Sequence, residues 1–148
     1  MEDLGDHFVL PFPIEFMIQA TPRSHQSPNS KAKEAWKAVV RAAAERRIAE
    51  NREFTLLDHR PLSATIYYFL PAPMQGDVDN IVKLILDGML LVVYPDDRVI
   101  ERVVVQKFEP DVLVEFRTFT PLLERAAAAE PPVIYVRVDD DVSWRQMP

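Results

Sequence analysis

Apolar side chains at Ile14, Phe16 and Ile18 alternate with Glu15 and Gln19, a period of two that predicts a strand over residues 14–20. Thr21 to Ser30 is rich in Pro, Ser and Asn and reads as a loop. From Lys31 to about Asn51 there is no Gly or Pro and alanine is abundant. Trp36, Val39, Val40 and Ala43 recur there at helical spacing, which predicts a helix with a basic outer surface. Leu62 to Leu70, rich in Tyr, Phe, Ile and Thr, predicts a second strand, and Pro71 to Gly76 a loop. Asn80 to about Leu91 is expected to be a second, strongly apolar helix, followed by a turn at Pro95-Asp96-Asp97. Arg98 to Phe108 and Val112 to Phe119 read as two strands of a hairpin around Glu109-Pro110-Asp111. Leu122 to Ala129 reads as a short helix, and Val133 to Val138 as an edge strand before a frayed end. There are no internal repeats. The sum is an α+β fold: a mixed, mainly antiparallel sheet with two main helices packed on one face.

Composition narrows the class without changing that picture. The chain has 148 residues, 48% apolar and 27% charged, which suits one globular domain over 1–148. It contains no cysteine, so disulfides, thiolate metal sites and thiol nucleophiles are excluded. The acidic start, Met1 to Asp6, is not followed by a long apolar run. No secretory signal or membrane span is expected, and the cytoplasm is the expected location. The formal net charge of −6 argues mildly against a nucleic-acid partner, since phosphate binding is driven by Lys and Arg. Basic residues are nonetheless concentrated between Arg23 and Arg60, while much of the acidity lies in residues 77–97 and in Asp139-Asp140-Asp141.

The candidate chemistry lies in Gly76-Asp77-Val78-Asp79-Asn80, then Lys83, Asp87 and Tyr94-Pro95-Asp96-Asp97. Clustered carboxylates repel one another unless a cation or a set of donors compensates them. A hard divalent ion held by carboxylates and waters is the usual compensation in enzymes that cut phosphate esters. On a helical projection Asp79, Lys83 and Asp87 fall at about 0°, 40° and 80°, with Ile81, Val82, Leu84, Ile85 and Met89 opposite. That stripe suits the wall of a cleft. Each piece also has an ordinary reading: Asp79 or Asn80 as a helix cap, Asp79–Lys83 as an i,i+4 ion pair, Pro95-Asp96-Asp97 as a turn. Tyr67, Tyr68 and Phe69 read as strand packing, and His25 and His59 as loop residues rather than ligands or bases. His7 is given no role.

The order of these residues resembles the RusA family of Holliday junction resolvases. That family's pattern is Asp-x-Asp-Asn, a Lys four residues after the second Asp, an Asp four further on, and an Asp-Asp pair before a strand ending in Lys. Here the positions read Asp77, Asp79, Asn80, Lys83, Asp87, Asp96, Asp97 and Lys107, and the upstream strand, Pro22-Arg23-Ser24 loop and Lys-rich helix with Trp36 fit as well. The resemblance runs from about Phe12 to Arg117 and leaves 118–148 as a C-terminal extension.

It implies a homodimeric endonuclease that uses Mg²⁺, or Mn²⁺ in its place, to cut four-way DNA junctions by paired nicks in recombination and repair. Carried over by position, Asp77, Asp79 and Asp97 would be the essential metal carboxylates, with Asp96 and Asp87 as second-tier candidates. Lys83 would be a catalytic or phosphate-contacting cation. Arg23, Lys31, Lys33 and Lys107 are the candidate DNA contacts. Two alternatives stay open: a binding protein that keeps the fold and carboxylates with little or no activity, and a Mg²⁺ nuclease for other branched DNA.

Overall fold

A computed structural model describes residues 12–50, 56–57, 61–112, 114–141 and 143–145. His7 and His59 lie outside them. The elements are β1 (Ile14–Ile18), α1 (Ser30–Ile48), β2 (Leu62–Phe69), α2 (Val82–Met89), β3 (Ile100–Phe108), α3 (Pro121–Ala128) and β4 (Val133–Asp139). Short 3-10 turns at Val78–Ile81, Asp97–Val99 and Ser143–Arg145 complete the described part.

One four-stranded sheet runs in the order β1-β4-β2-β3. β4 is antiparallel to both β1 and β2, whereas β2 and β3 are parallel, so the sheet is mixed and mostly antiparallel as expected. Alternation along the strands sorts the side chains to two faces. Ile14, Phe16, Ile18, Ile66, Tyr68, Ile134, Val136 and Val138 join one core, which α1 closes with Trp36, Val40, Ala43 and Ala44 and α2 with Leu84, Ile85 and Met89. On the other face Tyr135 and Val133 pack with Leu123 and Ala126 of α3, flanked by Met17, Tyr67, Phe69 and Phe116. Helices α1 and α2 therefore share one face, and α3 covers part of the reverse.

Three expectations are corrected. Val133 to Val138 is an interior strand, not an edge: its run Val-Ile-Tyr-Val is buried on both faces because each face is covered. In the expected strand from Val112 to Phe119, the described residues 112 and 114–119 form no strand of the sheet and no hairpin with β3. Phe116 folds onto the sheet face instead, with ring centroids 5.5 Å from Tyr67 and 5.6 Å from Phe108. The aromatic contact on the face outweighs strand pairing at the edge. On α1, Val39 faces outward while Ala44 turns in to the core beside Val40.

No helix among the described residues is long and apolar enough to cross a membrane.

Candidate active site

The site begins where β2 ends. Leu70 N–H bonds the carbonyl of Phe108 at 3.0 Å, so the loop that follows leaves from the end of β3. Met74 N–H then donates to the Glu109 carboxylate at 3.0 Å, and Lys107 Nζ reaches the same oxygen at 2.9 Å. Those two contacts, the backbone bond foremost, hold Glu109 below the usual carboxylate range. Gly76 takes a φ of +85°, a left-handed conformation in which a side chain would be strained. The loop thus delivers Asp77 in extended backbone at the start of the Val78–Ile81 turn.

Glu109 is the loop's anchor, and Glu109→Ala is expected to raise amide exchange at Met74 by about fivefold or more, as local opening becomes easier. With its pKa depressed, the carboxylate should keep this bond through the ordinary glutamate titration range. The anchor is lost only as pH falls below that range. Exchange at Met74 unchanged in the variant would mean the loop is held by other contacts.

Asp77, not Asn80, occupies the cap position of the turn, and its side chain makes no capping bond. Asn80 is the turn's third residue. Its N–H donates to the Asp77 carbonyl at 3.1 Å, and its own carbonyl accepts from His25 N–H at 3.0 Å, with His25 Nδ1 3.2 Å away. Lys33 Nζ donates in turn to the His25 carbonyl at 3.2 Å. Both the His25 N–H and Nδ1 are directed at the Asn80 carbonyl. His25 braces the turn against the start of α1.

Lys83 pairs with Asp87 at 3.0 Å rather than with Asp79. The bond to Asp87, that residue's charge and, more weakly, Asp97 raise the lysine's pKa, so it stays a cation at neutral pH. Arg41 of α1 donates to the backbone carbonyl of Asp87 at 3.2 Å. Tyr94 is fully buried and its hydroxyl donates to the Leu86 carbonyl at 2.7 Å. Burial first, and then the charges of Asp97 and Asp87, push the phenol far up, which keeps it a neutral donor. The turn from Leu90 to Tyr94 is closed by Leu91 N–H to the Tyr94 carbonyl at 2.7 Å, with Leu91 at a φ of 68°.

The two adjacent aspartates have different employment. Asp96 caps the Asp97–Val99 turn through Arg98 N–H at 2.9 Å and grips the Arg98 guanidinium at 3.0 Å. These bonds, the backbone one foremost, hold Asp96 below the usual carboxylate range. Asp97 is exposed, and its carboxylate, like those of Asp77 and Asp79, has no hydrogen bond or ion pair among the described residues. Lys83, Asp87, Asp97 and Tyr94 therefore share one electrostatic neighbourhood, with Asp77 and Asp79 leading into it from the preceding turn.

Among the described residues no three His, Cys, Asp or Glu side chains converge as a metal-holding group. The donor chemistry still fits a hard cation. Mg²⁺ usually keeps several waters and takes only one or two carboxylates besides substrate phosphate, and three unpartnered carboxylates are present. Of the candidate DNA contacts, Arg23 and Lys31 are exposed, whereas Lys33 and Lys107 are tied to His25 and Glu109. Arg41, Tyr94 and Glu109 were not singled out by sequence reading. Only Tyr94 carried a signal, its place beside the Asp96-Asp97 pair.

The family model described as endodeoxyribonuclease RusA matches residues 13–116, close to the expected span. No curated protein matches the chain. With the family match covering most of its length and the Asp77, Asp79, Lys83 and Asp97 positions all inside it, the chain belongs to the RusA endodeoxyribonuclease family.

Proposed function

We propose that the protein is a cytoplasmic, single-domain, homodimeric endonuclease that resolves four-way DNA junctions by paired, Mg²⁺-dependent nicks during recombination and repair. The observation that carries this reading is the division of the carboxylates. Asp77, Asp79 and Asp97 are left without partners, while Asp87 and Asp96 are engaged by Lys83 and Arg98. Carboxylates left without donors on neighbouring turns are available to a hard cation, which would offset their charge. Asp77, Asp79 and Asp97 would hold the metal, which activates water and neutralises charge on the phosphate. Lys83, kept protonated by Asp87, offers its ammonium to the non-bridging oxygens as the phosphate gains charge. Asp87 positions that ammonium, and Arg41 positions Asp87. Two matched cuts across a junction suit a two-fold enzyme, which is the argument for a dimer.

Phosphate contact is assigned first to Arg23 and Lys31, which have no competing partner among the described residues. Removing either should lower the slope of log affinity against log salt by about one. An unchanged slope would move the DNA path elsewhere. Lys83→Ala is expected to cut turnover by about a hundredfold, as loss of one charge-stabilising donor does, with metal affinity little changed. A collapsed fold would instead make the lysine a structural partner of Asp87.

The deciding experiment is cleavage of a labelled four-way junction with Mg²⁺ and with EDTA, beside linear duplex, forks and flaps. Paired nicks that need metal and spare the duplex are expected. Junctions left intact at low salt would favour the binding-protein reading, which the net charge of −6 supports. Preferential cutting of forks or flaps would favour a nuclease for other branched DNA.

A further inference from the structure

We propose that the pocket beside Asp77 receives one unpaired nucleobase of the DNA, and that the Asn80 amide reads it, so the pocket sets base preference next to the cut. This rests on the nuclease reading and adds a specificity site to it. The pocket has a volume of about 340 Å³. It lies between the Thr21–Ser24 loop, the end of β2 and the loop that delivers Asp77. That size is at the small end of the range of about 300–1,000 Å³ for small-ligand sites, where a single flat ring system belongs.

Its chemistry selects a neutral ligand. Among the described residues that line it there is no Lys, Arg or His, and the charged one is Asp77. Away from the metal proposed at Asp77, a phosphate inside the pocket would meet no cationic side chain among the described lining residues. The interior is apolar, formed by the buried Tyr68, Leu70 and Ile81, and the Tyr68 hydroxyl is already bonded to the Thr21 side chain. An apolar interior with a few placed polar groups suits a nucleobase, which is flat and uncharged and carries its hydrogen-bonding groups on one edge.

Asn80 supplies the reading group. Its backbone is fixed on both sides, by the Asp77 carbonyl and by His25. Asn80 is among the residues that line the pocket, and its side-chain amide has no hydrogen bond among the described residues. An amide is donor and acceptor at once and therefore distinguishes base edges. Asp77 lines the same pocket and also belongs to the proposed metal group, so a base held here lies next to the phosphate being cut. At the crossover of a junction, unstacking one base costs less than in continuous duplex.

Two other cavities among the described residues do not compete for this role. A pocket of about 500 Å³ is on the reverse face, against Phe108 and Phe116. Another of about 410 Å³ carries Arg46, Arg47 and Arg125 with Glu15 and Glu50, a strongly charged lining unsuited to a base.

Two arms test the proposal with the full chain. The first is cleavage of junctions randomised at the crossover nucleotides, by wild type, Asn80→Ala and Met74→Trp, the last filling the pocket from its rim. Wild type should favour one base at one position by about tenfold, and Asn80→Ala should flatten this to about twofold, as expected for losing an edge-reading amide. The second arm is fluorescence of 2-aminopurine at the same position, in junction bound to Asp97→Asn protein with Ca²⁺. Unstacking should raise the signal, and adding Met74→Trp should remove the rise.

Cleavage by wild type with the same base profile in Asn80→Ala, or with no rise in 2-aminopurine signal, overturns the pocket proposal and leaves the nuclease reading standing. A Met74-dependent rise without any cleavage by wild type overturns the nuclease reading and leaves the pocket as a base-binding site.

Discussion

Asp79→Asn protein is expected to lose junction cleavage by about a thousandfold or more while folding normally and binding DNA at least as tightly. That loss is ~4 kcal/mol of transition-state stabilisation. The fold should be spared because the Asp79 carboxylate is exposed and has no partner among the described residues. Its only structural contribution is a negative charge in the first turn of a short 3-10 segment, worth a few tenths to about 1 kcal/mol at most. Binding should not weaken, because a carboxylate a few ångströms from a phosphate costs about 1 kcal/mol in water and the amide removes that cost. Asp77→Asn and Asp97→Asn should behave alike. Asp96→Asn should not: its amide oxygen still caps Arg98 N–H, but the ionic grip on the guanidinium is weakened, so it acts only by shifting Asp97, and a loss of at most about tenfold is expected. Single-turnover cleavage with each variant, alongside filter binding to the same junction, measures the order. Cleavage surviving in Asp97→Asn but lost in Asp96→Asn would reverse the assignment of the pair.

The contrast between those neighbours shows where sequence reading stops. Spacing placed both aspartates at a turn before a strand, and both readings, turn cap and free carboxylate, turned out to be present, one on each residue. Which is which depends on Arg98, whose side chain folds back two residues to Asp96. Lys83 is a similar case. Asp79 and Asp87 are each four residues away on one stripe, and the lysine's choice of Asp87 depends on where the turn before α2 changes from 3-10 to α-helical geometry. Local periodicity was readable wherever one face is buried, as in β1 and α1. It failed at Val112 to Phe119, where alternation was present but an aromatic cluster on the sheet face took Phe116. It failed again in placing β4, because position in the chain does not fix position in a sheet. Arg41 and Glu109 gave no signal, since each acts on a backbone atom distant in sequence.

A glycine inside α2 sets the spacing of the two helices that carry the site, and Gly88→Val is expected to cost about 3 kcal/mol or more of stability. A Cβ built on Gly88 would lie 2.7 Å from both Cβ and Cγ1 of Val40 and 3.1 Å from the Lys37 carbonyl oxygen. Val40 is fully buried, and its Cβ cannot rotate away, so α1 itself must retreat. Alanine is the milder case: its overpacking cost of about 1–3 kcal/mol is partly offset by about 1 kcal/mol of helix propensity gained over glycine. The net loss for Gly88→Ala should then be about 1–2 kcal/mol. Denaturant midpoints at constant m-value measure both. Adding Val40→Ala removes Cγ1 but leaves the Cβ contact, so rescue in the double variant should be partial, a coupling that a double-mutant cycle reads directly. Retreat of α1 also carries Arg41 away from the Asp87 carbonyl, and with it the group that positions Lys83. Activity per folded molecule of Gly88→Ala should therefore fall as well. A Gly88→Ala protein as stable and as active as wild type would mean the helices can part without disturbing the site.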